Sequence, residues 1–212
     1  MNIHHILDSG QLPVIAILRG LRPVEAVSIG EALLAGGIRI MEVPLNSPEP
    51  LASIERLMTE FGERALIGAG TVLSAAQVES IASAGGRLVV SPHTDAEVIK
   101  RAVALGLDCV PGCLSPTEAF TAAAAGATDL KMFPAATVGQ GHLKALREVL
   151  PHQVRLWAVG GTGTHNLAAW LAGGASGIGV GGALYKAGDG PQQVLQRAIE
   201  LRNAWSSVRT AS

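Results

Sequence analysis

The chain has 212 residues, of which 48% are hydrophobic and 16% are charged, and its formal net charge is -1. This length is enough for one large domain with a substantial core, or for two small ones. The balanced charge gives no reason to expect nucleic acid or an anionic membrane as a partner, and an aromatic content of 3% argues against a base-stacking surface.

The first apolar run, at residues 13–18, is short and has no basic region in front of it, unlike a secretory signal peptide. No uncharged stretch reaches the length of a membrane span. We therefore expect a soluble, cytoplasmic protein that does not contact a membrane. The two cysteines, Cys109 and Cys113, have no histidine at zinc-binding spacing and are expected to be reduced core residues.

Short runs rich in valine, isoleucine and leucine recur along the chain, and their starts lie roughly 20 to 27 residues apart. They predict strands at residues 13–18, 38–43, 65–69, 87–91, 107–110, 128–133, 154–159 and 176–180. Alanine- and leucine-rich patterns between them predict helices at residues 23–35, 48–61, 74–84, 94–105, 115–125, 141–150, 164–172 and 191–206. A further short helix is predicted at residues 2–9.

The predicted strands are apolar throughout rather than alternating, which is typical of parallel strands covered on both faces. Eight strand–helix repeats in 212 residues predict a compact α/β fold, the (β/α)8 TIM barrel, with residues 1–212 as a single domain. The short N-terminal helix is expected to cover the bottom of this barrel. A doubly wound open sheet is the alternative, because strand count and length do not prove closure.

Glu42 lies inside the second apolar strand and Lys131 inside the sixth. An isolated charge in an apolar interior is unfavourable, so a buried lysine tends to lose its proton. A neutral lysine amine can form a Schiff base with a carbonyl compound. The pair therefore indicates carbonyl chemistry, with a structural ion pair as the alternative.

In such barrels the catalytic groups lie at the C-terminal ends of the strands. Arg19 follows the first predicted strand, Thr71 follows the third, and Glu42 lies near the end of the second. We therefore expect these side chains to meet Lys131 on one face of the barrel.

Glycine pairs follow the last two strands, Gly160-Gly161 after the seventh and Gly181-Gly182 after the eighth. Glycine allows backbone N–H groups to approach an anion closely, and these two loops are the usual phosphate site of TIM barrels. The pattern predicts a phosphate site, with tight turns alone as the alternative.

Seven segments form a specific combination when they are taken in order and at their separations. They are IAILRG at 15–20, EVPLNSP at 42–48, IGAGTVL at 67–73, PGC at 111–113, LKMFP at 130–134, VGG at 159–161 and LYKAG at 184–188. Together they resemble the 2-keto-3-deoxy-6-phosphogluconate aldolase family over nearly the whole chain, and most closely its branch for the galactonate epimer.

The resemblance implies a class I aldolase, without metal or other cofactor, that cleaves a small phosphorylated 2-oxo sugar acid to pyruvate and D-glyceraldehyde 3-phosphate. Lys131 matches the Schiff-base lysine and Glu42 the proton donor and acceptor. Arg19 and Thr71 match positions that bind the pyruvyl part of the substrate. The phosphate-binding positions are matched by Gly161, Gly181 and Gly182. A homotrimer is also implied.

Two positions bear on which substrate is used. Gluconate-specific relatives usually carry an arginine in place of Asn46 and a threonine in place of Val159, and the two substrates differ in configuration at C4. The loss of a hydroxyl changes which configuration finds a partner, so this pair favours the galactonate substrate. Gly182 replaces a serine often found in the phosphate loop, which removes one hydroxyl donor.

Several readings stay open at this point. The chain could act on the C4 epimer, on 4-hydroxy-2-oxoglutarate, or as a barrel of another class that senses or isomerises sugar phosphates. Pro92 and Phe133 are expected to wall the site or to pack in the core. No role is assigned to His93, His142, His152 or His165.

Overall fold

The computed structural model describes residues 1–210. Its strands are β1 (Val14–Ile17), β2 (Ile40–Pro44), β3 (Leu66–Gly70), β4 (Leu88–Val90), β5 (Asp108–Val110), β6 (Gly112–Cys113), β7 (Asp129–Met132), β8 (Arg155–Val159) and β9 (Gly177–Val180). Its helices are α1 (Ile3–Asp8), α2 (Pro23–Ala35), α3 (Pro50–Phe61), α4 (Ala75–Ser83), α5 (Ala96–Ala104), α6 (Pro116–Ala124), α7 (Ala135–Val149), α8 (Leu167–Ala172) and α9 (Pro191–Thr210).

The strands form one parallel sheet in the order β5-β4-β3-β2-β1-β9-β8-β7-β6. The two outer strands of this order, β5 and β6, are separated in the chain by Pro111 alone. The Lys131 N–H of β7 donates to the Pro111 carbonyl at 2.8 Å, so the sheet closes on itself there. The predicted TIM barrel is confirmed, and its fifth strand is divided in two at a residue that has no N–H to donate.

The predicted elements are all present, with shifted ends. Helix α3 begins at Pro50 rather than at 48, because Glu49 takes a left-handed backbone conformation (φ 42°) just before it. Helix α5 begins at Ala96 rather than at 94, because Asp95 caps it with a carboxylate that accepts from two backbone N–H groups. Helix α7 is interrupted at Gly139 (φ 73°), which explains why the helical pattern begins only after that residue.

The buried apolar side chains form two separate layers. The larger layer lies between the strands and the surrounding helices, and Leu130 and Met132 of β7 belong to it. The smaller layer fills the inside of the barrel, where Ile3 and Ile6 of α1 pack against strand residues such as Trp157. Helix α1 therefore covers the N-terminal end of the barrel, as predicted.

Alternate residues of a strand point to opposite faces of the sheet. Because Leu130 and Met132 face the helices, Asp129 and Lys131 face the barrel interior, where Glu42 also lies with Ile40. Both cysteines are buried and unpaired, as expected, and Cys113 belongs to β6. No helix within residues 1–210 combines the length and apolar character that crossing a bilayer requires.

Candidate active site

A cavity of about 590 Å³ opens at the C-terminal ends of the strands. Residues within or just after β1, β2, β3, β4, β7, β8 and β9 contribute to it. Its lining residues are Ile17, Arg19, Glu42, Thr71, Pro92, Lys131, Phe133, Val159, Gly160, Gly161, Thr162, His165, Gly179, Gly181, Gly182 and Ala183. The residues expected from separate strands thus meet on one face, as the barrel predicts.

The Glu42 carboxyl group lies at the floor of this cavity and is only 2% exposed. Its Oε2 atom is buried without a hydrogen-bond partner. Burial raises the pKa of Glu42 to about 7, and the opposing attraction of Lys131 and Arg19 does not cancel that effect. A carboxyl group that titrates near neutral pH can both accept and release a proton, as general acid–base chemistry requires.

Gly70, at the end of β3, makes room for this carboxyl group. A Cβ atom built on Gly70 would lie 1.9 Å from Oε2 of Glu42 and 2.3 Å from its carboxyl carbon. Any side chain at this position would therefore displace the carboxylate. Gly70 lies inside one of the segments that carried the family resemblance, but its role is visible only once β2 and β3 are side by side.

Lys131 faces the same cavity from β7 and is 7% exposed. Burial lowers the pKa of its ammonium group, Glu42 acts in the opposite direction, and the Arg19 charge lowers it further. Its Nζ lies 4.7 Å from the centre of the Phe133 ring. The interior beneath is apolar, lined by Val90 and Val110 among others, and this burial shifts the lysine towards its neutral, nucleophilic form.

Arg19 and Thr71 also line the cavity. The Arg19 guanidinium donates to the side-chain oxygen of Asn46, so Asn46 contacts a lining residue but is not itself part of the cavity lining. Thr71 has a left-handed backbone (φ 57°), which is strained for a β-branched residue and directs this part of the chain into the site. Backbone strain of this kind is typical of functional positions.

The glycine loops form the opposite end of the cavity, and two side chains fix them. The Asn166 side chain donates to the Gly161 carbonyl at 2.9 Å and accepts from the Gly163 N–H at 3.0 Å. The Thr162 hydroxyl donates to the Gly179 carbonyl, which ties the loop after β8 to strand β9. The backbone here is therefore held in place before any ligand arrives.

The cavity contains most residues named from the sequence. Val159, Pro92 and Phe133 line it, while His93 does not. Four contributors were missed by sequence reasoning, namely Gly70, Thr162, His165 and Asn166. Their contacts are set by the fold and are not visible as a sequence pattern. Asn166 is a partial exception, because its partners Gly161 and Gly163 are close to it in sequence.

The family model described as "Aldolase: KDPG and KHG aldolase" matches residues 4–197. The chain belongs to this aldolase family. It is 47% identical over 196 residues to a probable 2-dehydro-3-deoxy-6-phosphogalactonate aldolase of Rhizobium meliloti (strain 1021), and the match covers 92% of each chain. It is 45% identical over 195 residues to the 2-dehydro-3-deoxy-6-phosphogalactonate aldolase of Escherichia coli (strain K12), which covers 92% of this chain and 95% of that one.

A solved structure of the aldolase family, described as native KDPGal, superimposes with a TM-score of 0.92. It is 44% identical, and the match covers 94% of this chain and 97% of the other. The resemblance stated from seven short segments is thus confirmed over nearly the full length of the aldolase barrel.

Proposed function

We propose that this protein is a class I aldolase that cleaves 2-dehydro-3-deoxy-6-phosphogalactonate to pyruvate and D-glyceraldehyde 3-phosphate. One observation carries the mechanism: a lysine of lowered pKa and a glutamate of pKa about 7 are buried together at the floor of one cavity. The names of the relatives support the substrate.

The reaction begins when the Lys131 amine attacks the C2 ketone and water leaves, giving a protonated imine. Glu42 accepts the proton of the C4 hydroxyl group as the C3–C4 bond breaks. The bonding electrons move into the imine and form an enamine, while the aldehyde product departs. Protonation of C3 and hydrolysis of the imine then release pyruvate and regenerate the Lys131 amine.

The two ends of the substrate are held by different means. The Arg19 guanidinium can bind the carboxylate through charge-assisted hydrogen bonds, with Thr71 beside the pyruvyl part. The backbone N–H groups around Gly161, Gly181 and Gly182 are positioned to receive the phosphate, since small residues leave them accessible. The lining of the cavity by all five residues supports this arrangement.

Borohydride reduction in the presence of pyruvate tests the Schiff base. Mass spectrometry should find the reduced pyruvyl adduct on the peptide that contains Lys131, and the adduct should be absent from Lys131→Ala. Lys144, which is exposed on α7, provides a matched control, because Lys144→Ala should be labelled as the wild type is. Labelling that survives Lys131→Ala would reject the assignment of the nucleophile.

Comparison of the two C4 epimers tests the substrate. Val159 lines the cavity and offers no hydroxyl group, which supports a preference for the galactonate epimer. The kcat/KM for that epimer should exceed the value for the gluconate epimer, and Val159→Thr should reduce the ratio. A wild-type preference for the gluconate epimer would favour the alternative substrate.

We also propose that residues 1–212 act as one domain and assemble as a homotrimer. Exposed apolar side chains on the outer surface, among them Val24, Leu73, Val103 and Phe120, are compatible with contacts between copies. Light scattering should give about three times the chain mass of 21.7 kDa. A mass that stays at that of one chain would reject the trimer.

A further inference from the structure

The glycine-rich end of the cavity contains few side chains that could donate a hydrogen bond. The lining there consists of glycines, Ala183, Thr162 and His165. The Thr162 hydroxyl already donates to the Gly179 carbonyl and is buried. His165 is therefore left, among the lining residues of this end in the described chain, as the side chain with an uncommitted N–H group.

The imidazole of His165 lies beside Gly163 of the loop that follows β8. A Cβ atom built on Gly163 would lie 3.3 Å from Nδ1 and 3.4 Å from Cε1 of His165, and 3.3 Å from the Cβ of Ala183. The ring and Ala183 thus flank the space that a side chain at Gly163 would fill. The Gly163 backbone is itself held by Asn166, so the position beneath the ring is fixed.

We propose that His165 binds the phosphate group of the substrate and supplies the side-chain hydrogen bond of this subsite. An imidazole has at least one N–H donor in both its neutral and its cationic form. A hydrogen bond to an anionic oxygen is stronger than one between neutral groups. This proposal rests on the proposed aldolase function and adds to it the group that recognises the phosphorylated end.

The contribution should depend on the phosphate and not on the carbonyl chemistry. In the condensation direction, His165→Ala should raise the KM for D-glyceraldehyde 3-phosphate on the order of 5- to 10-fold, as expected for a charge-assisted hydrogen bond at an accessible site. The KM for unphosphorylated D-glyceraldehyde should stay within about 2-fold of the wild-type value, because no phosphate contact is lost. The kcat with either aldehyde should change little.

His152 provides a matched histidine control. It is exposed and precedes β8, at the opposite end of the barrel from the cavity. His152→Ala should therefore leave both KM values unchanged. A similar loss in the two variants would show that removal of any surface histidine perturbs the protein, which would overturn the specific role of His165.

Gly182→Ser offers a test by rescue. A Cβ at Gly182 meets nothing within 4 Å, and its φ lies outside the left-handed region, so a serine can be accommodated there. Introduced into His165→Ala, its hydroxyl should lower the KM for D-glyceraldehyde 3-phosphate again. Introduced into the wild type, it should have a smaller effect, because one donor is already present.

Titration with inorganic phosphate separates failure of this proposal from failure of the aldolase assignment. Calorimetry should show weaker phosphate binding to His165→Ala than to the wild type, while borohydride labelling of Lys131 with pyruvate is equal in both. Equal phosphate affinity together with an unchanged KM for the phosphorylated aldehyde would overturn the role of His165. Absent labelling in the wild type would reject the aldolase, and the phosphate titration would still decide on His165.

Discussion

The two ends of the barrel each contain a cavity of similar volume and a buried carboxylate, yet the two carboxylates differ in their hydrogen bonding. At the C-terminal end the cavity measures about 590 Å³, and Glu42 has an oxygen without a hydrogen-bond partner. At the N-terminal end the cavity measures about 580 Å³, and Asp108 lies on its wall. Deeper at that end, Asp129 accepts from Arg155 at 2.9 Å through each of its oxygens, and from the Trp157 indole at 2.8 Å.

The difference teaches how a functional carboxylate can be told from a structural one. When a buried carboxylate is paired and hydrogen-bonded, removal of either partner destabilises the fold, because an uncompensated charge is left buried. A buried carboxylate without partners has a raised pKa and destabilises the folded state when it is ionised, so it must be retained for another reason. Cavity volume does not separate the two ends, whereas hydrogen-bond satisfaction does.

Glu42→Gln, at the C-terminal end, should have the largest effect of the four variants, and it should act on the rate of cleavage. Cleavage should fall by about 10²- to 10⁴-fold, because the proposed proton-transfer group is removed, while borohydride labelling of Lys131 with pyruvate should persist. The folded pKa of about 7 lies above the ordinary value of 4.5, so the wild type loses stability as the pH rises through that window. The variant should therefore be at least as stable as the wild type in urea at pH 8.

Cleavage by Glu42→Gln near the wild-type rate would remove Glu42 from the mechanism. A large loss of stability at pH 8 would instead show that its carboxylate has a structural role like that of Asp129.

Gly70→Ala keeps the Glu42 carboxylate but moves it, and so tests whether the position of that carboxylate matters for kcat. The added Cβ would overlap Oε2 of Glu42 and displace it. A displacement on the order of 1 Å at a catalytic group should lower kcat by about 10²-fold. Gly141→Ala on α7 is the control, since a Cβ there meets nothing within 4 Å, and its kcat should match the wild type. Equal kcat values for both variants would show that Gly70 is not needed to make room for the Glu42 carboxyl group.

Asp129→Asn, at the N-terminal end, should lower stability and leave catalysis unchanged. The Asp129 side chain is 2% exposed and Arg155 is 17% exposed, so removal of the charge leaves a largely buried guanidinium without its counterion. Unfolding in urea should show a loss of about 2–3 kcal/mol in the free energy of unfolding, while kcat of the folded enzyme stays near the wild-type value. A selective loss of kcat at unchanged stability would contradict the structural assignment.

Asp108→Asn should give the smallest change in stability, and the size of that change should depend on pH. Burial raises the pKa of Asp108 to about 6, and the nearby Asp129 charge adds to this, while the Ile3 N–H, His4 and Arg155 act in the opposite direction. The wild type therefore loses stability as the pH rises from about 4 to about 6.

The amide removes that loss and keeps an oxygen acceptor for the Ile3 N–H, which lies 3.4 Å from the carboxylate. We expect Asp108→Asn to be more stable than the wild type by about 1 kcal/mol at pH 8, after allowance for screening of this partly exposed group, and equal to it near pH 3. Urea unfolding at the two pH values measures the difference. A variant that is less stable at pH 8 would show that the ionised Asp108 makes a favourable contact.

Much of the fold follows from local signals. The apolar strands repeat at a spacing that only a strand, a helix and two short loops can fill, and this periodicity predicted the barrel. The division of the fifth strand at Pro111 did not follow, because closure depends on how β5 and β6 pair with different neighbours. The shifted start of α3 depends likewise on the backbone conformation of Glu49.

The sequence by itself predicted that Glu42 and Lys131 lie together and on which face of the barrel they lie. A charge within an apolar strand is costly wherever the chain folds, so Lys131 and Glu42 were recognisable before any contact was known. Only the tertiary structure decided which buried carboxylates are paired, that Gly70 makes room for Glu42, and that His165 lies beside the glycine loops. These features depend on distances between residues far apart in the chain or on the path of one loop, and no periodicity or motif encodes such distances.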